Sequence, residues 1–304
     1  MNRIKITVPA SSGNIGSGFD TLGIAVSLRN YFEMEASETE TQLEVIGGGG
    51  ASLQPMCLEM VKAAARWFFQ RSGLASRHFT FRVDNKIPIA RGLASSATFR
   101  LAVLEGLNRM LNVKRSDSDI VKWAAELEGC SDNVVPCYYG GFCASGIVGD
   151  QLVHYEFPIP PVIDFVAVSP AKEVETDKAR TVFTPAMPRE DAIFTHTRGI
   201  LLTAAFAQSD YEQIGDLLED RFHQPQRQAA IPALAPLFDV IRAARDAGAI
   251  GAYLSGSGST IMALTLEKKE AVGDAMSQVI AQYGMQSEIR YLKADNKGLT
   301  AKSF

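Results

Sequence analysis

Residues 88–97 read Pro-Ile-Ala-Arg-Gly-Leu-Ala-Ser-Ser-Ala and run straight into a segment, 97–111, in which Leu101, Leu104, Leu107 and Leu111 recur at helical spacing. A Gly/Ser loop that feeds a helix presents unpaired backbone N–H groups and the positive end of the helix dipole. Polyphosphate binds well at such a place. The hydroxyls of Ser95 and Ser96 can donate to it or ligate Mg2+. The loop is not the Gly-x-x-x-x-Gly-Lys-Ser/Thr phosphate motif, because it has no Gly-Lys pair. The competing structural use is an N-cap served by one of the serines, and local chemistry by itself favours that use.

Other segments carry groups that could complete a site. Residues 9–23 read Pro-Ala-Ser-Ser-Gly-Asn-Ile-Gly-Ser-Gly-Phe-Asp-Thr-Leu-Gly, with Asn14 and Asp20 as the polar candidates. Both residue types also satisfy backbone groups in ordinary turns. Residues 251–260, Gly-Ala-Tyr-Leu-Ser-Gly-Ser-Gly-Ser-Thr, would alone read as a hairpin-type turn. Residues 126–136 are Glu-Leu-Glu-Gly-Cys-Ser-Asp-Asn-Val-Val-Pro. Arg180 closes Thr-Asp-Lys-Ala-Arg, and Arg227 closes His-Gln-Pro-Gln-Arg. Arginine grips a carboxylate bidentately, whereas a lone surface arginine in an ion pair is worth little.

Taken in order, these segments resemble the motifs of the GHMP kinases, and most closely the branch that phosphorylates homoserine. The family loop usually reads Gly-Leu-Gly-Ser-Ser-Ala; here Ala94 replaces its middle glycine. The resemblance implies that Arg91, Gly92, Leu93, Ala94, Ser95, Ser96 and Ala97 bind the phosphates of ATP, and that Ser96 and Glu128 hold Mg2+, with Glu126 a rival for Glu128. It implies that Asp132 and Asn133 face the acceptor, Asp132 either taking the hydroxyl proton or only positioning the substrate. Asn14, Asp20, Thr176 and Gly258 fall on the substrate side, and Arg180 and Arg227 grip its carboxylate. Two such arginines favour an amino acid over mevalonate or a sugar. His223 reads as structural.

The implied reaction moves the γ-phosphate of ATP to the side-chain hydroxyl of L-homoserine, a step of threonine biosynthesis. The alternatives are a GHMP kinase for another small alcohol, such as mevalonate or a sugar, and an inactive ligand-sensing relative. Cys130 and Ser131 replace a usual His-Pro, Gln226 a usual Tyr, and Ser257 and Ser259 a usual Ala and Pro. Where an Asn beside the adenine is common, Cys57 or Leu58 stands. The implied fold is α+β, with a ribosomal protein S5 domain 2-like N-terminal half over residues 1–157, a ferredoxin-like C-terminal half over 158–304, and ATP between them. The resemblance also allows a homodimer.

The rest of the chain must position these groups. Ile4, Ile6 and Val8 alternate with polar residues as a half-buried strand, which Pro9 is expected to end; Phe79, Phe81 and Val83 make another. Met60, Ala64, Trp67 and Phe68 recur at helical spacing, and residues 117–128 read as a helix capped by Ser116 or Asp117. Gly140-Gly141 opens a strand through Ile147, and Phe157-Pro-Ile-Pro-Pro161 is the expected boundary between halves. Beyond it, strands are expected at 163–169, 251–254 and 261–264, and helices at 191–208, 210–219, 233–247 and 268–283.

The 304 residues carry a net charge of −4, without the basic excess of a general nucleic-acid binder. Cys57, Cys130, Cys137 and Cys143 form no CxxC pair and have no His at ligand spacing, which argues against zinc and for free thiols in a reducing cytoplasm. No apolar stretch is long enough for a signal peptide or a membrane span, so a cytoplasmic location with no membrane partner is expected.

Overall fold

The computed structural model describes residues 3–48, 50–174 and 176–304, with the side chains of residues 50, 51 and 176–178 outside the described set. Ile4, Ile6 and Val8 turn inward from strand β1 (Arg3–Gly13), while Arg3 and Lys5 stay exposed. Pro9 does not end this strand. The register against β2 (Leu22–Ser37) shifts between Pro9 and Ala10, and this bulge absorbs the missing N–H. Pairing then continues to Gly13, so Ser11 and Ser12 are buried strand residues rather than loop.

The first half continues with β3 (Gln42–Gly47), α1 (Gly50–Ser72), β4 (His78–Asn85), α2 (Ser95–Met110), α3 (Asp117–Glu128), α4 (Val134–Tyr139), β5 (Phe142–Val148) and β6 (Gln151–Phe157). The α3 start is secured by a capping box between Ser116 and Asp119. Through Pro158–Pro161 the chain enters β7 (Asp164–Pro170), then α5 (Thr176–Thr181), α6 (Arg189–Gln208), α7 (Ile214–Leu217) and α8 (His223–Ala230). It ends with α9 (Leu237–Asp246), β8 (Gly251–Leu254), β9 (Ile261–Thr265), α10 (Lys269–Gln282), β10 (Ser287–Leu292) and β11 (Thr300–Ser303).

Two expected helices are shorter than their sequence suggests. Over 210–219 only the single turn α7 forms, and within it Gly215 lies against the Ile250 carbonyl, where a Cβ would be 2.3 Å away. Over 233–247 a 3-10 turn, Pro232–Leu234, comes first, and α9 starts after Pro236.

Among the described residues the strands form two sheets. One runs β11-β1-β2-β4-β3, with β5 and β6 joined through β2; the other runs β10-β7-β9-β8 and is antiparallel throughout. In the second, the first and third strands are central and the β-α-β-β-α-β order is that of a ferredoxin-like half. Phe68, Leu101, Leu104 and Trp123 cover Ile4, Ile6, Phe32 and Phe81 on the first sheet. Leu237, Val240, Val272 and Met276 cover Val166 and Val168 on the second. A third apolar cluster, including Ile24, Phe142, Phe165, Phe206 and Tyr253, joins the two sheets and fixes how the loops at their shared edge meet. No helix among the described residues is long and apolar enough to cross a membrane.

Candidate active site

The loop from Pro88 to Ala94 ends in the helix α2, and nothing caps that helix. Ala94 is the N-cap residue, and no side chain accepts from the first N–H groups. Ser96 is turned away to donate to Glu128 Oε1 at 2.6 Å. Ser95 Oγ and Arg91 Nη1 are buried and have no hydrogen-bond partner among the described residues. The serines therefore do not serve as an N-cap. The uncapped helix start and two orphaned donors fit an anionic group such as a phosphate.

Two backbone positions shape this loop. Gly92 has φ +73, and a Cβ there would lie 2.1 Å from the Ser255 carbonyl oxygen, so only glycine fits. Ala94, which stands in place of the family glycine, adopts φ 58 and ψ 31. This left-handed conformation is costly for alanine and would not be for glycine.

Around the loop lies a cavity of about 360 Å³, within the range of small-ligand sites. Its wall includes Arg91 to Ser96 and Glu128, with Asn14, Asp20, Asp132, Asn133, Arg180 and Arg227 opposite. Five separate stretches of sequence are thereby brought together. Ala97 and Gly258 do not line the cavity: Ala97 packs in the first core, and Gly258 sits behind Gly92. The side chain of Thr176 lies outside the described residues. Glu126 points elsewhere and pairs with Arg71 at 2.7 Å, which leaves Glu128 as the carboxylate beside Ser96.

Asp132 is 1% exposed. Its Oδ2 accepts the Asn14 N–H at 3.0 Å. Burial, and then the nearby charge of Asp20, push its pKa up to about 6. Asn14 is engaged at both ends of its amide: its Nδ2 donates to the Gly256 carbonyl at 2.8 Å and its Oδ1 accepts the Asp20 N–H at 3.0 Å. It therefore positions Asp20 as well as lining the cavity. Arg180 holds Asp20 through two hydrogen bonds of 3.0 and 3.1 Å.

Arg227 is 2% exposed and donates to the carbonyls of Ala179 and Gly256 and to His223 Nδ1. Arg227 also lines the cavity. Burial, opposed in part by Asp20, lowers its pKa to about 10, so it stays charged at neutral pH. Because arginine can only donate, His223 Nδ1 accepts and its Nε2–H donates to the Gly16 carbonyl at 2.8 Å. Burial lowers the His223 pKa to about 4. The ring is neutral, its 3.6 Å approach to Asp220 is not an ion pair, and its role is to brace Arg227.

Sequence reasoning missed part of this wall. Met56 and Met60, one turn apart on α1, form an apolar side with Ile89 and Ala90. Leu58 and Cys57 pack in or against the first core instead. Arg100, one turn beyond Ser96, also lines the cavity and pairs with Glu128. Cys130 lies beside Asp20 and Asp132, near enough for the three to meet at one ion. Burial and the charge of Asp132 keep its thiol protonated, and Arg180 already neutralises Asp20, so the trio is a poor seat for a hard cation.

Replacing Ala94 with Gly relieves the left-handed alanine and is expected to stabilise the fold by about 1 kcal/mol in urea unfolding. Asp132 has a folded pKa above its unfolded value, so the native state is favoured below about pH 4 and loses that advantage as pH rises through about 6. Asp132→Asn should then exceed the parent in stability at pH 7, by on the order of 2 kcal/mol, with the gap closing near pH 4. His223 has the opposite slope, stabilising above about pH 6.5 and failing toward about 4, but both proteins carry it and it cancels in paired melting curves.

Residues 59–141 match the family described as GHMP kinases N terminal domain, and residues 202–282 match GHMP kinases C terminal. A homoserine kinase of Carboxydothermus hydrogenoformans is 34% identical over 97% of this chain and 95% of its own. One from Moorella thermoacetica is 35% identical over 96% and 98%. The crystal structure of a homoserine kinase from Cytophaga hutchinsonii superposes with a TM-score of 0.85 at 27% identity, covering 99% of this chain and 98% of that one. The mevalonate kinase of Methanococcus jannaschii, at 15% identity and a TM-score of 0.67, shares the fold. With the uncapped phosphate loop, the two sheets and the full-length likeness in agreement, this chain belongs to the homoserine kinases, within the GHMP kinases.

Proposed function

We propose that this protein transfers the γ-phosphate of ATP to the side-chain hydroxyl of L-homoserine, giving O-phospho-L-homoserine and ADP. The observation that carries the reading is one cavity with an uncapped helix start on one side and an Asp132, Arg180 and Arg227 cluster on the other. Phosphoryl transfer asks for positioning and charge stabilisation more than for covalent chemistry. The N–H groups at the α2 start and the hydroxyl of Ser95 hold the phosphates, and Met56, Met60 and Ile89 offer an apolar bed for the base. Arg227 and Arg180, which both line the cavity, take the amino-acid carboxylate, which mevalonate has at a different spacing and a sugar lacks.

The hydroxyl of Ser96 and the carboxylate of Glu128 are an all-oxygen donor pair that suits Mg2+. When bound, Mg2+ offsets charge on the phosphate oxygens. Asp132 is ionised above about pH 6 and takes the proton as the substrate oxygen bonds to phosphorus and the bond to ADP breaks. The compartment this reading implies is the cytoplasm, where ATP is made and the four cysteines, free in this structure, stay reduced.

ADP release from Mg-ATP is expected with L-homoserine and not with mevalonate, galactose or L-threonine. In Glu128→Ala the homoserine-dependent rate should fall by roughly 100-fold or more. A faster rate with another acceptor would overturn the substrate assignment. The rate should also rise with pH through about 6, and Asp132→Asn should lose most of it; an unchanged kcat would leave Asp132 as a positioning group.

A further inference from the structure

Arg100 is a cation at the phosphate site that the sequence motif does not include. It lies one helical turn after Ser96 on α2, so both side chains leave the same face of the helix. They converge on one carboxylate. Ser96 Oγ donates to Glu128 Oε1 at 2.6 Å, and Arg100 Nη1 donates to Glu128 Oε2. Glu128 is the last residue of α3, at the negative end of that helix, and its side chain is 11% exposed. A carboxylate there is disfavoured without a cation. In this chain a cation is built in.

A divalent cation at Ser96 and Glu128 would therefore meet a carboxylate whose two oxygens are both engaged. It would compete with the Arg100 guanidinium for the same anion. The displaced guanidinium would not have far to go. It already lines the cavity beside Ser95 and Ser96, where the phosphates of the proposed nucleotide would lie. Planar guanidinium suits phosphate oxygens as well as it suits a carboxylate.

We propose that Arg100 is a resident counter-ion of Glu128 that gives up the carboxylate to the incoming divalent cation and moves onto the nucleotide phosphates, an inference that rests on the kinase reading for the nature of the ligand. The exchange keeps the site near neutrality at each stage. It also makes metal and nucleotide bind better together than either does alone, because the arginine released by one is used by the other.

The test compares the full-length protein with Arg100→Met, without any acceptor present. Mn2+ alone is titrated by electron paramagnetic resonance, and Mg-ADP by calorimetry. Losing the competing cation should tighten Mn2+ binding by about tenfold and weaken Mg-ADP binding by about tenfold. Arg100→Lys should stay closer to the parent than Arg100→Met in both constants, since it keeps the charge. Mn2+ binding that is no tighter, or Mg-ADP binding that is no weaker, overturns the proposal. So does an Arg100→Lys protein as altered as Arg100→Met, which would point to shape rather than charge. Arg100→Gln gives the same reading if Arg100→Met does not fold. None of these constants involves homoserine, so they stand or fall apart from the choice of acceptor.

Discussion

The site depends on one turn, Ser255-Gly256, between β8 and β9. Ser255 Oγ donates its only proton to the Gly92 carbonyl at 2.6 Å, so in its 2.7 Å contact with Ser12 Oγ the donor is Ser12. The Gly256 N–H donates to the Gly13 carbonyl at 3.0 Å, and the Gly256 carbonyl accepts from both Asn14 and Arg227. Three segments far apart in sequence are thus sewn to one another by buried backbone groups. A buried polar group without its partner is expensive, so this knot holds as a unit and fixes the phosphate loop against the acceptor side.

Charge is balanced around that knot. Asp20 and Asp132 bring two carboxylates, and Arg180 and Arg227 two guanidinium groups, into one cavity. Asp20 raises the pKa of Asp132, while Arg180 helps to lower that of Arg227. A zwitterionic amino acid adds one charge of each sign and leaves the sum unaltered, whereas a neutral sugar offers neither arginine a partner. Phe19 assists by packing edge-on against Phe183 and Phe222 and lying 5.4 Å from the Arg227 guanidinium, which fastens the Asp20 loop to α8.

Much of this was legible in the sequence. The alternation at Ile4, Ile6 and Val8, the leucines of α2 and the Ser116 cap each act within a few residues, and each is where it was expected. What escaped depends on partners distant in the chain. Strand β2 changes pattern along its length: Leu22 to Val26 are buried on both faces between β1 and β5, while Phe32 and Met34 alternate with Tyr31 and Glu35 beside β4. No single period describes it. Pro9 misleads because a bulge, not a stop, accommodates it. In the site, the motif residues were readable as a set, but the opposed uses of Glu126 and Glu128 depend on Arg71 and Arg100 in other helices. Met56 and Met60 look like core residues until α1 is seen to overhang the cavity.

The pairing of β11 with β1 has a consequence for how the protein is made. Thr7 meets Thr300, and Arg29 on β2 holds Asp295 through bonds of 2.6 and 2.7 Å. The edge of the first sheet therefore stays open while the ribosome builds nearly everything between. Through that interval β1 offers unpaired N–H and C=O groups to any passing strand. Closure becomes available only as the segment 295–303 emerges. Quality of synthesis, rather than strength of the finished fold, is where this architecture is most exposed, and a nascent chain stalled before that segment would present a sticky edge to its neighbours on the same polysome.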